Sequence, residues 1–337
     1  MAQPRAPGKT RMQAIVQDTY GSTEVLALRD IDTPVPNENQ VLVQVHAAGL
    51  DRGVVHVMTG LPYLIRLLVP SLGLRKPKVP VLGMDLAGRV EAVGQQVTRF
   101  RPGDAVFGWT DGSYAQYASV PEDQLAPMPA SIGFEEAAAV PISGFAALQA
   151  LRDEGAVQPG QTVLVIGAAG GVGSFAVQLA KAFGAEVTGV AGPAQLDLVR
   201  SIGADHGIDY TRDDFADGAR HWNLIVDTAG RRSLSRLRRA LTHGGTLVIV
   251  GGEGGGRWLG GFDRQILRAP ILSPLVSQTL RPLTSKERSE DLVVLKELIE
   301  AGKLTPVIDR TYPLGQAPEA IRHLEQGHAR GKVVIRV

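Results

Sequence analysis

The chain has no cysteine. That absence removes disulfides, thiolate metal ligands, iron–sulfur clusters and cysteine nucleophiles together. A disulfide-stabilised secreted scaffold is excluded, and a cytoplasmic protein is the expectation. An excess of one charge is lacking too: 35 Lys and Arg against 34 Asp and Glu give +1. So even a balance provides no general pull toward nucleic acid or an anionic membrane. Long apolar runs are also missing. The best candidate, residues 61–74, is cut by Arg66 and Pro70 and falls far short of the roughly 20 residues of a spanning helix. It reads as a loop or short helix capping an apolar pocket, or as an interfacial segment. The first 11 residues carry basic residues and prolines with no apolar stretch behind them, so they read as a flexible extension and not a signal peptide.

What is present points to a globular chain. With 44% hydrophobic and 20% charged residues it is too apolar for disorder, and 337 residues suggest two domains at roughly 150 each. Residues 12–17, 25–31, 41–47, 86–93 and 105–107 are short β-rich runs separated by glycine and proline turns, with no clear helix, as in a compact barrel. From about 130 the pattern alternates. A helix over 135–152, crossed by Pro141 and Gly144, precedes a strand at 162–166, a helix at 175–183, a strand at 186–190 and a helix at 195–202. Strands at 224–227 and 246–250 flank a basic amphipathic helix at 233–241. Alternation of this kind means right-handed crossovers and a parallel, doubly wound sheet. Beyond Pro306, strands at 307–312 and 332–337 flank a helix at 318–326, and the simplest arrangement returns them to the first domain. The expectation is an α/β chain with a barrel-type substrate domain (12–126 with 305–337) and a cofactor domain (127–304).

Residues 163–173 read VLVIGAAGGVG and lead into a helix. A dinucleotide site needs a tight turn off its first strand, a backbone that can approach a pyrophosphate, and a helix packed hard on the strand. Gly170 and Gly173 hold the second and third glycine positions; Ala168 replaces the first, with Gly167 just before it. The helix N-terminus then faces the phosphates with its amides and its dipole. Ala169, Gly170, Gly171, Val172 and Gly173 are therefore cofactor-binding candidates. The end of the second strand, VAGPAQ at 190–195, has no carboxylate to bind a ribose 2′-hydroxyl, so nothing there repels a 2′-phosphate. It has no Arg or Lys either; Arg200 and Tyr210 lie further on. NADPH is the expected cofactor, with NADH as the alternative.

Further landmarks are VLGMDLAGRVEAVG at 81–94, RPGD at 101–104, GSYAQY at 112–117, IGAD at 202–205 with IDY at 208–210, and GKVV at 331–334. In this order they resemble the zinc-free members of the medium-chain dehydrogenase/reductase superfamily, near the quinone oxidoreductases. The resemblance covers roughly residues 12–337. It implies a GroES-like barrel domain, a Rossmann domain and a cleft between them. It also implies that Ser143, Gly192, Tyr210, Val250, Gly251 and Lys332 lie near the cofactor, although Lys332 could equally be a solvent-exposed strand lysine. Zinc-dependent members carry a Cys after the third strand and a Gly-His-Glu in the second landmark. Here those positions read Asp51 and Gly83-Met84-Asp85, so no metal is expected and Met84 reads as core packing.

Substrate chemistry is less visible. Asp51, Arg52, Tyr63 and Tyr114 are the polar candidates, with Asp51 and Tyr63 singled out as catalytic. His56 reads as structural. The resemblance implies hydride transfer to a small-molecule quinone or α,β-unsaturated carbonyl. The resulting anion can take its proton from water, so no dedicated acid is required. Apolar walls are expected from 61–72 and 254–275. Relatives of this kind commonly pair as homodimers, which here would use an edge strand near 276–284. The rival class is a structural or regulatory nucleotide-binding protein, crystallin-like or RNA-binding. The arginines from Arg231 to Arg239 form the one local basic patch; it reads as a solvated helix face.

Overall fold

The computed structural model describes residues 11–69, 72–252, 256–261, 268–327 and 329–337. The expected extension therefore lies outside the described residues, apart from Arg11. The first strands are β1 (Arg11–Gln17), β2 (Leu26–Asp32), β3 (Gln40–Leu50), β4 (Asp85–Val93), β5 (Ala105–Trp109), β6 (Tyr117–Pro121) and β7 (Leu125–Pro127). A second set follows: β8 (Thr162–Ile166), β9 (Glu186–Ala191), β10 (His206–Asp209), β11 (Trp222–Asp227), β12 (Leu241–Ile249) and β13 (Thr279–Pro282). The chain closes with β14 (Ile308–Pro313) and β15 (Lys332–Arg336).

These strands form two principal sheets. One runs β14-β15-β3-β4-β5-β7, with β6 also paired to β3; β15 lies antiparallel to β3. The C-terminus thus joins the sheet that the N-terminal half begins. The other sheet runs β10-β9-β8-β11-β12-β13, and each of its pairings is parallel. Its chain order reverses between β8 and β11, where an open α/β sheet forms a crevice at its carboxyl ends. A hydrophobic core runs through both parts. Ala47, Ala87, Phe107 and Val334 of the first sheet share one buried cluster with Val163, Val165, Val226 and Val248 of the second. That continuity fixes the two walls of the cleft against each other.

Two local outcomes differ from expectation. The first half contains a helix, Arg52–Thr59, that starts directly after β3. Its β-branched valines disguised it, but Asp51 and Gly60 mark its ends, and Gly60 has the left-handed φ of 60° of a helix stop. The helix expected over 135–152 is two helices, Phe134–Ala138 and Pro141–Gln149, followed by a wider turn. Pro141 cannot donate to the preceding turn, so it starts the second helix at a first-turn position.

The glycine turn shows how sequence becomes backbone. Gly167, not Ala168, takes the positive φ (81°) that turns the chain off β8. Helix Gly171–Ala182 follows, with Gly170 capping it in an extended conformation. A Cβ on Gly173 would lie 2.0 Å from the Gly167 carbonyl oxygen, which is backbone and cannot step aside. Gly173→Ala is therefore expected to lower stability by about 1–3 kcal/mol, as overpacking does. Urea unfolding of the variant checks this; an unchanged midpoint would show that the turn is looser than described.

Candidate functional site

The cleft opens where β8, β9 and β11 end. It has a volume of about 480 Å³ and is bounded by the glycine turn (Gly167, Ala169, Gly170, Gly171, Val172), by Ala191, Gly192, Gln195 and Tyr210, and by Thr228 and Ala229. Leu50, Asp51, Arg52 and Ser143 form its wall on the barrel side. A Cβ built on Gly170 meets nothing nearer than the Gly167 oxygen at 3.4 Å, so the turn presents open space to the cleft. The first amides of a helix lack intrahelical partners, and here they border that space. Gly192 sits under the Tyr210 ring: a Cβ there would lie 3.6 Å from both Cε1 and the phenol oxygen. These features suit a dinucleotide, with its pyrophosphate on the turn and its adenosine toward Tyr210.

Of the expected cofactor residues, Ser143, Ala169, Gly170, Gly171, Val172, Gly192 and Tyr210 border the cleft. Gly173 lies beneath the turn. Val250 and Gly251 follow β12, where their amides both bond the Asp227 carbonyl at 3.0 Å, and they do not border it. Arg200 is directed to Asp197 (3.4 Å) and not into the cleft. Two residues were misread. Arg231 and Arg232, expected in a solvated basic patch, precede helix Leu234–Arg239 and line the cleft. Their position follows from the turn off β11, which no spacing rule announces. Of the helix's own arginines, Arg236 pairs with Asp214 at 2.7 Å and Arg238 bonds Gln278 at 3.2 Å.

Lys332 is not a surface lysine. Only 1% exposed, it lies behind Asp51 and Ser143. Its Nζ donates to Asp51 Oδ1 (2.6 Å), Asp85 Oδ2 (3.2 Å) and Ser143 Oγ (3.2 Å), which uses all three of its protons. Ser143 in turn donates to Asp51 Oδ1 at 2.5 Å, and Asp85 Oδ1 accepts the Ile142 amide at 2.9 Å. Gly331 holds this strand against the turn: its amide bonds the Ala169 carbonyl at 2.7 Å. Gly49 makes room, since a Cβ there would lie 2.7 Å from Asp85 Oδ2. Burial alone would raise the Asp51 pKa, but the Lys332 ammonium and hydrogen bonds from Asp85, Lys332 and Ser143 pull it down to about 2. Burial and the neighbouring Asp51 charge push Asp85 well above the carboxylate range despite Lys332. Burial works against the Lys332 ammonium, yet the two aspartates raise its pKa above the ordinary lysine value.

The other candidates sit apart. Tyr114 is buried with its phenol on the Gly49 carbonyl at 3.1 Å. Tyr63 stacks edge-on to Trp258 at 5.4 Å, with Arg66 and Arg257 over its ring, and does not border the cleft. His56 Nδ1 bonds the Leu61 carbonyl at 2.8 Å, a structural contact. Met84 lines a small cavity with Val54, Val57, Val79 and Val81. The expected apolar walls do not border the cleft either. Leu67, Leu74, Trp258, Ile271 and Leu275 are exposed, while 70–71, 253–255 and 262–267 lie outside the described residues.

Known proteins agree with this architecture. Family descriptions match residues 37–130, as an alcohol dehydrogenase GroES-like domain, and 202–335, as a zinc-binding dehydrogenase. Human quinone oxidoreductase is 32% identical over 98% of this chain and 99% of its own. This chain belongs to the quinone oxidoreductase-like medium-chain dehydrogenases/reductases. The family is one of oxidoreductases that use a nicotinamide cofactor, and this member is an enzyme of that class. Among solved structures, quinone oxidoreductase from Coxiella burnetii superposes with a TM-score of 0.82 at 29% identity, covering 97% of this chain and all of that one. A structure titled NAD-dependent alcohol dehydrogenase reaches 0.83 at 31%, with the same coverage. The zinc in the second family description does not fit the residues here. Among the described residues no group of three or more His, Cys, Asp or Glu is placed to hold a metal. Asp51 and Asp85, which could have contributed, already close on the Lys332 ammonium.

Removing that ammonium should expose its role. Lys332→Met leaves two buried carboxyls without their cation, and breaking a buried pair costs roughly 3–5 kcal/mol. Without the cation both aspartates have folded-state pKa values above their unfolded ones. The variant's stability is then greatest at acid pH and falls as pH rises through those values. Thermal unfolding between pH 5 and 8 reads this; a variant equally stable across the range would show the carboxyls to be otherwise compensated.

Proposed function

We propose that the chain is an NADPH-dependent reductase of quinones and α,β-unsaturated carbonyl compounds that works without a metal. The observation that carries the reading is the cleft's polarity. Arg231, Arg232, Tyr210 and Gln195 line the cleft, and the one acid among the described residues of its wall, Asp51, is held on the barrel side against Lys332. The nearby Asp209 is buried and turned onto Thr211, whose amide and hydroxyl it accepts at 2.9 and 2.7 Å. A 2′-phosphate is thereby offered cations and spared repulsion. The names of the relatives support the substrate class. The name of the NAD-dependent alcohol dehydrogenase neighbour favours NAD and an alcohol, and titration of both cofactors separates the two.

The division of labour follows from position. The amides of Gly171 and Val172 at the start of the helix hold the pyrophosphate, with Ser143 beside them: a Cβ on Gly171 would lie 3.2 Å from both Ser143 Oγ and Lys332 Cδ. When bound, the cofactor supplies the hydride. Leu50, Ile166 and Val172 give the cleft apolar surface for a flat acceptor, and Asp51 and Ser143 are its polar wall. A second copy would add to the open edge of β13, the outermost strand of the parallel sheet.

Fluorescence titration should show NADPH binding at least tenfold more tightly than NADH. Arg231→Ala with Arg232→Ala should reduce that ratio while leaving NADH affinity unchanged. Equal affinities in the wild type would sink the cofactor assignment, and a panel of quinones, enones and alcohols under both cofactors would decide the substrate class. Gly170→Val should fold normally yet lose NADPH binding, because its side chain would enter the open space over the turn; normal binding by this variant would mean that the turn does not carry the pyrophosphate.

A further inference from the structure

Asp51 is the residue before helix Arg52–Thr59 and has the extended backbone (φ −110°, ψ 161°) of a capping position. Aspartate there ordinarily accepts an amide of the first turn, an interaction that contributes about 1 kcal/mol. This one makes no such bond. Its carboxylate turns instead toward the interior, where Oδ1 takes protons from both Lys332 and Ser143. Its Oδ2 is buried and, with both aspartates ionised, has no donor. Lys332 Nζ, 2.6 Å from Asp51 Oδ1 and 3.2 Å from Asp85 Oδ2, holds the two carboxyls side by side.

The charges of this cluster do not balance. Two carboxylates and one ammonium, nearly all buried, sum to −1. An uncompensated buried charge is costly, and a group in that position neutralises by taking a proton. One proton between the two carboxyls makes the cluster neutral and supplies the missing donor to Asp51 Oδ2. Of the two aspartates, Asp85 is fully buried while Asp51 is 8% exposed and borders the cleft. The cluster therefore stores a proton on its inner member and presents its outer member to the substrate.

We propose that Asp51 and Asp85 share one proton and that Asp51 hands it to the reduced substrate, with Asp85, Ser143 and Lys332 as positioning residues. This rests on the reductase reading above and departs from protonation by bulk water. Once the acceptor has gained a hydride it is an anion, an enolate or a quinol anion. The shared proton leaves without electrons and forms the product's new C–H or O–H bond. Two carboxylates then remain over the Lys332 ammonium at a net charge of −1, and a solvent proton entering through the cleft restores the pair. The groups facing the pair are Lys332 from β15, Ser143 from helix Pro141–Gln149, the Ile142 amide and the buried Tyr114 phenol, while Arg52 borders the cleft. Burial and both aspartates keep Tyr114 protonated far above the ordinary tyrosine pKa, so it does not compete as the donor.

The test uses Asp85→Asn and Asp51→Asn, each of which leaves one carboxylate against one ammonium. The wild type should lose kcat as pH rises through the raised pKa of the pair, because the acid form is the active one. Both variants should lose kcat by roughly 10²–10⁴-fold, the contribution of a general acid, and lose that alkaline limb, with NADPH affinity within threefold of wild type. Infrared spectra of the wild type at neutral pH should contain a protonated-carboxyl band that both variants lack. Variants that keep kcat within threefold, or an infrared spectrum of the wild type without that band, would overturn the proposal. The band serves as a readout independent of turnover: if it is present but neither a quinone nor an enone is reduced, the reductase reading fails, and the acceptor that the proton was to serve goes with it.

Discussion

The Gly331 amide on the Ala169 carbonyl is a small contact with large consequences. It brings the C-terminal strand from the barrel sheet to the glycine turn of the parallel sheet. Gly331 has a φ of 96°, and a Cβ there would lie 2.3 Å from the Val307 carbonyl oxygen, so only glycine fits the crossing. One residue later, Lys332 enters the interior between β3, β4 and helix Pro141–Gln149. The ammonium then joins segments that are up to 281 positions apart in the chain, from Asp51 to Lys332. The cleft's floor is therefore set by an interaction that exists only when both sheets have formed.

The same arrangement explains why Asp51 and Asp85 behave as unequal partners. Both are buried, and burial alone raises a carboxylate pKa. What separates them is the hydrogen bonding. Asp51 Oδ1 receives the shortest Lys332 contact and the Ser143 hydroxyl, whereas Asp85 has the longer Lys332 contact and one amide. The better-solvated charge stays on Asp51, and the proton resides on Asp85. Two acids pushed apart by their surroundings is a recurring arrangement at acid–base sites.

Much of this architecture was legible in the sequence. The bounds of β8 were read without error because its apolar run is short and ends on glycine. The alternation after residue 130 specified the parallel sheet, and the ordered landmarks specified the family. The failures have distinct causes. Helix Arg52–Thr59 was hidden by Val54, Val55 and Val57, whose β-branching favours strands, although its two ends carried capping residues. Pro141 divides the helix expected over 135–152, and the apolar periodicity, running through it unbroken, hides the break. Arg231 and Arg232 looked like part of a helix face because linear spacing cannot show where a turn off β11 points. The burial of Lys332 was equally unreadable, since a lysine opening a C-terminal strand is ordinarily exposed.

Substitution at the position of a metal ligand changes more than metal affinity. With Asp51 after β3, Met84 and Asp85 at the start of β4 and no cysteine in the chain, the site has carboxylates and a thioether where zinc-dependent members have cysteine and histidine. Lys332 supplies a permanent internal cation to that pocket, with three directed protons and a length fixed by the strand it begins. A metal ion would polarise a substrate oxygen directly. A lysine enclosed by two acids and a serine cannot reach the substrate, so its charge acts through Asp51. The chemistry left to such a site is that of an acceptor already electrophilic enough to take a hydride unaided, and what it still needs from the protein is an apolar surface, a held orientation and a proton.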